Sequence, residues 1–168
     1  IPKSSATVAE VLKNYGYNTG CWGKWHNTPE EQITNKGPFE YWPTGYGFEY
    51  FYGFLAGEAS QYEPTMVRNT TPVNPHEIHR KGYHVTEDIA EDAIQWLREQ
   101  RAYAPDKPFF LYWAPGASHG LDVDQDGVGT LREQRMYQLI RQPGPIGDRV
   151  IELEFRERET FAYSCEAF

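Results

Sequence analysis

The strongest constraint on the fold is an unbroken run of large apolar residues, Phe109-Phe-Leu-Tyr-Trp113. Side chains alternate between the two faces of a strand, so a run without polar residues predicts a central strand that is covered on both faces. The segment before it has helical periodicity and offers Thr86 as its N-cap. The residues expected on the buried stripe of that helix are Val85, Ile89, Ala93, Trp96 and Leu97.

A second helix and strand are predicted near the start of the chain. Thr7-Val-Ala-Glu10 has the pattern of a capping box, and Gly16 stands where a glycine commonly ends a helix. Apolar residues at helical spacing predict the buried stripe of this helix: Val8, Val11, Leu12 and Tyr15. A strand from Tyr17 to Trp25 is expected next. The order of elements predicts an α/β fold, part of a mixed sheet flanked by helices, with a small antiparallel hairpin at the C-terminus.

The remaining segments are less regular. Residues 27–83 are rich in Pro, Gly and Tyr without a sustained period, which predicts a long loop with little regular structure. We expect a boundary near Gly120, with residues 1–120 as one domain and 121–168 as a C-terminal segment. That segment is predicted to hold a helix from Leu131 to Ile140 and a β-hairpin whose return strand includes Tyr163. Because the chain begins with Ile1 rather than Met and stops at Phe168 within a predicted strand, both ends are expected to be cut.

Composition excludes some functions. The net charge of −8 argues against a nucleic-acid partner, because phosphate backbones are bound by accumulated Lys and Arg. No apolar run approaches the roughly 20 residues that span a bilayer, so no membrane span is expected. The two cysteines, Cys21 and Cys165, are expected to be buried free thiols, with a bridge between them as the alternative.

The most informative short motif is Gly23-Lys24-Trp25-His26. On an extended chain Lys24 and His26 project to one side while Trp25 points to the other, and Gly23 leaves room for close approach to the backbone. The motif lies where the first strand ends, and ligands in open α/β sheets bind at such ends. His119 holds an equivalent place after the strand at residues 109–113. On composition alone, a surface lysine and two packed or solvated histidines are the preferred interpretation of these residues.

Five blocks in register give the chain a resemblance to a known family. They are Thr7 to Leu12, Gly16-Tyr17, Gly23 to His26, Gly45 to Phe48 with Phe51 to Phe54, and Lys107 to Tyr112 with His119. Over about the first 120 residues the chain resembles the arylsulfatase-type sulfatases of the alkaline phosphatase superfamily. The resemblance implies a sulfuric ester hydrolase whose partner is a small anionic sulfate-ester substrate. The alternative within the superfamily is a phosphonate or phosphate monoester hydrolase.

The resemblance also implies roles for individual residues. Lys24 and His26 match the lysine and histidine that hold the sulfate and the nucleophile, and His119 matches the histidine that contacts the leaving-group side. A compact sulfate anion suits a point-charge ammonium, and imidazole is an ordinary general base. The family uses calcium and a formylglycine nucleophile, which is made from Cys or Ser in a Cys/Ser-x-Pro-x-Arg motif.

The chain departs from the family in the parts that it lacks. It contains no Cys/Ser-x-Pro-x-Arg motif, and Cys21 is followed by neither the proline nor the arginine. The formylglycine and the first calcium ligands are expected upstream of Ile1. The later ligands would follow His119, where the sequence instead runs into Gly120-Leu-Asp-Val-Asp. The hypothesis that follows is that this polypeptide alone has no sulfatase turnover.

Two further patterns concern metals. Asp122, Asp124, Asp126, Gly127 and Glu133 have the spacing of an EF-hand calcium loop, but no incoming helix precedes them. An acidic solvated turn is the preferred interpretation, and a non-catalytic calcium-binding or interaction fragment is the alternative function. Three histidines lie close together at 76, 79 and 84, but without a cysteine cluster they are not expected to bind zinc.

Overall fold

The predicted α/β class is confirmed by a computed structural model, which describes residues 1–74 and 82–116 and the backbone of residues 163–165. The strands are β1 Asn18–Lys24, β2 Tyr50–Phe54, β3 Met66–Arg68, β4 Thr71–Val73, β5 Phe109–Ala114 and β6 Tyr163–Cys165. They form one six-stranded sheet in the order β4-β3-β2-β1-β5-β6. Strand β1 lies at its centre and pairs in parallel with β2 and β5, while the outer pairs are antiparallel.

The three parallel strands are buried on both faces, which the apolar run predicted for β5. Alternate residues of β1 and β5 enter two separate cores: Trp22 and Trp113 belong to one, and Cys21 and Phe110 belong to the other. The first core is covered by helix α2 (Val85–Tyr103), and the second by helix α1 (Val8–Asn14) with the segment that follows β1. Parallel strands are stable in this sandwiched position because both of their faces are removed from water.

Helix α1 confirms the predicted cap but not the predicted buried stripe. Thr7 Oγ1 accepts a hydrogen bond from Glu10 N at 3.1 Å, and Thr7 N donates to Glu10 Oε2 at 2.7 Å, which completes the capping box. The prediction that Val8, Val11 and Tyr15 are buried was wrong, since their exposed fractions are 60%, 43% and 78%. The helix turns Ala9 toward the sheet instead, because a small side chain permits close approach.

Helix α2 follows the predicted stripe but begins with a different cap. Val85, Ile89, Ala93 and Trp96 are buried as expected. The prediction that Thr86 caps the helix was wrong: His84 is the N-cap, and its Nδ1 accepts from Thr86 N at 3.3 Å. The next backbone donor, Val85 N, bonds to the carbonyl of Gln61 at 2.8 Å. That contact comes from a distant loop, so the local sequence could not reveal it.

The prediction of one long irregular loop over residues 27–83 was also wrong. This segment contains strands β2, β3 and β4 and two short 3₁₀ turns, Glu30–Gln32 and Pro43–Tyr46. Strand β2 was missed because Tyr50-Phe-Tyr-Gly-Phe54 does not alternate apolar with polar residues. It pairs with the central strand and is covered on both faces, so it needs no alternation.

A network of hydrogen bonds connects α2 to the sheet. Asp92 accepts hydrogen bonds from Trp22 Nε1 at 2.9 Å, Tyr50 OH at 2.7 Å and Arg68 Nη2 at 2.7 Å. One turn earlier, Asp88 accepts from the hydroxyl of Tyr52 at 2.8 Å. The two carboxylates thus accept hydrogen bonds from the buried indole N–H of Trp22 and from tyrosine hydroxyls, which would otherwise lack a protein acceptor.

The predictions for the C-terminal segment can be compared with the structure only in part. Tyr163–Cys165 is a strand, and it pairs antiparallel with β5 at Phe109–Leu111. The other hairpin strand, the helix from Leu131 to Ile140 and the boundary near Gly120 lie outside the described residues. Cys21 is buried as a free cysteine, as expected. Within the described ranges, no helix is both long and apolar enough to cross a membrane.

Candidate active site

Three parallel strands end side by side at one edge of the sheet. The register pairs Lys24 with Phe54 and Gly23 with Ala114, so the ends of β1, β2 and β5 are neighbours. We call these three strand ends and the loops after them the C-terminal edge. Open α/β sheets bind ligands at this edge, because loops from several strands converge there.

The strands approach each other closely at Gly23. Its φ is +98°, which L-residues with a side chain rarely adopt, and a Cβ added there would lie 2.1 Å from the carbonyl oxygen of Ala114. A Cβ on its neighbour Gly53 would lie 1.9 Å from the carbonyl oxygen of Gly23. The sequence predicted that Gly23 admits something close to the backbone, and in the structure this is the adjoining strands.

Trp25 anchors the end of β1 as the motif predicted. It is 4% exposed, its Nε1 donates to the carbonyl of Tyr41 at 3.1 Å, and its backbone N donates to Phe54 O at 2.9 Å. Lys24, on the preceding position, is half-buried, and His26, on the following one, is exposed. The buried indole therefore holds a lysine and a histidine at the C-terminal edge.

The loops after β2 and β5 meet the same edge. Gly57, in the loop after β2, lies against the imidazole of His26. Gly116, in the loop after β5, lies so close to Phe54 that an added Cβ would be 2.8 Å from its ring. Gln61 is 1% exposed and lies next to Gly116. Sequence reasoning missed Gly57 and Gln61, and their only signal was that they follow a strand that had not been recognised.

His119, the third predicted site residue, lies outside the described residues, as do His76, His79 and the acidic loop from Asp122 to Glu133. Among the residues that the structure does describe, no group of three or more His, Cys, Asp or Glu could hold a metal ion. Cys21 is fully buried, and burial raises the pKa of its thiol well above its usual value, so neither its exposure nor its charge state suits a nucleophile.

Several other candidate residues pack in the core or cap a helix. Aromatic residues between positions 41 and 52 could either line a substrate cleft or pack beneath a loop. Trp42, Tyr46 and Tyr52 are at most 3% exposed, which supports packing. His84 is 1% exposed and caps α2 while its ring packs edge-on to Tyr62, so it is not placed as a metal ligand.

Comparison with known proteins identifies relatives of this chain. The sulfatase family model matches residues 1–141. An uncharacterized sulfatase, YdeN of Escherichia coli, is 31% identical over an alignment of 135 residues, and the match covers 71% of this chain and 23% of the relative. The N-acetylgalactosamine-6-sulfatase of Rattus norvegicus is 27% identical over 84% of this chain and 28% of its own length. The chain thus spans about a quarter of the length of these curated relatives.

Solved structures share the fold. The crystal structure of Ps i-CgsB in complex with k-i-k-neocarrahexaose has a TM-score of 0.55 and 23% identity, over 72% of this chain and 28% of the other. The PsFucS1 sulfatase from Pseudoalteromonas sp. has a TM-score of 0.54 and 16% identity, over 81% of this chain and 34% of the other. At these identities the likeness concerns the architecture.

Proposed function

The chain belongs to the sulfatase family, and on that premise we propose that it forms part of the active site of an enzyme that hydrolyses sulfate esters. The position of Lys24 and His26 carries the proposal. Both residues lie at the C-terminal edge of the sheet, held there by the buried ring of Trp25. Two loops from neighbouring strands reach the same edge, as an active site assembled from several strands requires.

Lys24 is the proposed anion-binding residue. A sulfate ester carries its charge on a compact group of oxygens, and an ammonium meets it as a point charge. Lys24 is half-buried, and partial removal from water strengthens the attraction between opposite charges. The whole chain carries a net charge of −8, so binding of an anion depends on a cation placed locally.

His26 is the proposed proton-handling residue. His26 is exposed, and an imidazole can accept a proton on a ring nitrogen and return it. By resemblance, His26 holds the sulfate and serves as a general base, and His119 contacts the leaving oxygen. When bound, the calcium and the formylglycine of the family supply charge neutralisation and the nucleophile. Within the described ranges no group of three or more His, Cys, Asp or Glu could hold the calcium, and the sequence contains no Cys/Ser-x-Pro-x-Arg motif for the formylglycine.

The test is a charge-neutral replacement of Lys24 that keeps its apolar stem. In the full-length natural protein, Lys24→Met should lower kcat/KM for nitrophenyl sulfate by about a hundredfold, the usual effect of removing one group that stabilises the transition state. Lys36→Met, at an exposed lysine, is the matched control and should leave the rate unchanged. Equal activity of both variants would contradict the assignment of Lys24.

The substrate class is tested in the same preparation. Sulfate esters should be turned over faster than phosphonate and phosphate esters that have the same leaving group. The reverse order would favour the phosphonate or phosphate hydrolase instead. The purified 168-residue chain should release no nitrophenol, since it has no Cys/Ser-x-Pro-x-Arg motif. Steady release that Lys24→Met abolishes would refute this part of the proposal.

A further inference from the structure

The imidazole of His26 lies directly against the backbone of Gly57. A Cβ placed on Gly57 with ideal geometry would be 2.8 Å from Cε1 of the ring, 3.0 Å from Nε2 and 3.1 Å from Nδ1. Carbon atoms pack best at about 3.5–4.0 Å, so these separations are too short for any side chain. Every residue other than glycine at position 57 would force the His26 ring to move.

The three distances also give the direction of the contact. Because they are nearly equal, the added atom would lie above the face of the ring near Cε1. An approach within the ring plane would leave the two nitrogens much farther away than Cε1. Imidazole nitrogens make their hydrogen bonds in the ring plane. Gly57 therefore backs the ring from one side without occupying the directions in which Nδ1 and Nε2 exchange protons.

Space, rather than backbone conformation, explains the glycine. Gly57 is not among the described glycines with positive φ, so its backbone accepts an L-residue without strain. His26 is exposed, so its ring can swing away from an added methyl group without disturbing the core. Substitution at Gly57 should therefore displace the imidazole while the fold stays intact.

We propose that Gly57 is a positioning residue for His26, which sets the plane of the imidazole and hence the direction of its nitrogens toward the substrate. This inference rests on the proposed function, in which His26 handles protons at a sulfate ester. Proton transfer demands hydrogen-bond geometry, and a displacement of about 1 Å can lower a rate about a hundredfold. The loop after β2 thus contributes to catalysis through a residue without a side chain.

A double-mutant cycle in the full-length natural protein tests the inference. Gly57→Ala should lower kcat for sulfate-ester hydrolysis at least about tenfold, with KM changed less than about threefold and Tm within about 2 °C of the parent. Gly57→Ala combined with His26→Ala should be no slower than His26→Ala alone, because the two residues act as one unit. Ala56→Ser, at the exposed neighbouring position, is the control and should retain full activity.

The other outcomes overturn the inference in distinguishable ways. If His26→Ala is impaired and Gly57→Ala is not, or if Gly57→Ala slows the enzyme equally in both backgrounds, Gly57 does not act through His26. A fall in Tm of more than about 5 °C in Gly57→Ala would make the glycine a structural residue. Full activity of His26→Ala would refute the proposed role of His26, and the positioning role with it.

Discussion

Removal of the Asp92 carboxylate should weaken the attachment of α2 to the sheet. Asp92 is the shared acceptor of Trp22 Nε1, Tyr50 OH and Arg68 Nη2, and its side chain is 14% exposed. In Asp92→Ala the indole N–H of Trp22, which is fully buried, would have lost its acceptor. Leaving a buried donor unpaired costs about 1–3 kcal/mol.

The other two partners add less to that loss. The side chain of Arg68 is 47% exposed and can be hydrated when its partner is removed, so the ion pair contributes at most about 1 kcal/mol. Tyr50 is half-buried, and its hydroxyl can turn toward water. Alanine regains a few tenths of a kcal/mol through its helix propensity. We therefore expect Asp92→Ala to lower the free energy of unfolding by about 2–3 kcal/mol, or Tm by about 5–10 °C.

Urea unfolding followed by tryptophan fluorescence measures this effect, with Glu91→Ala as the matched control. Glu91 is the exposed carboxylate next in sequence, and its removal should change the free energy of unfolding by less than about 0.5 kcal/mol. Asp92→Asn keeps an acceptor for Trp22 and should lose only about 1 kcal/mol. If Asp92→Ala and Glu91→Ala unfold at the same urea concentration with equal m-values, the network does not stabilise the fold.

Two other predictions concern the core. Gly23→Ala should lower the free energy of unfolding by more than about 3 kcal/mol, because its Cβ would meet the backbone oxygen of Ala114. Gly16 also has positive φ but has open space around it, so Gly16→Ala should lower the free energy of unfolding by only about 1–2 kcal/mol in the same urea assay. Equal losses in the two variants would contradict the steric argument. Burial, assisted by Asp88, raises the pKa of Tyr52 far above that of an unfolded tyrosine, about 10, so the folded state holds the phenol proton more tightly. The stability that the protonated Tyr52 phenol provides is complete below about pH 10 and is lost as the pH rises further. Urea midpoints measured from pH 8 to 11 should therefore fall less steeply in Tyr52→Phe than in Tyr15→Phe, a control at an exposed tyrosine. Parallel curves for the two variants would refute the contribution of Tyr52.

Sequence reasoning succeeded where the deciding interactions are local. The capping box of Thr7 and Glu10 spans one turn, and the uninterrupted apolar sequence of β5 predicts by itself that the strand is buried on both faces. It failed for strand β2, which was not recognised because its burial depends on pairing with β1, a distant segment. The N-cap of α2 was misplaced for a local reason, because threonine is a commoner N-cap than the histidine that caps this helix.

The candidate site divides in the same way. The Gly-Lys-Trp-His motif indicated a lysine and a histidine presented by a buried tryptophan, because alternation along a strand fixes which side chains share a face. The Gly57 contact could not be found in this way, since nothing near position 57 in the sequence refers to His26. The role of His119 stays a prediction from resemblance.

The family, the class of the fold and the residues that end the first strand can all be read from the amino-acid sequence. These depend on short motifs and on hydrogen bonds between near neighbours, which a linear pattern records. The folded chain was needed to show which face of α1 meets the sheet, which strands adjoin β1 and which backbone supports the His26 ring. Those outcomes depend on how the whole chain buries its apolar surface, and burial is shared among segments that are far apart in sequence.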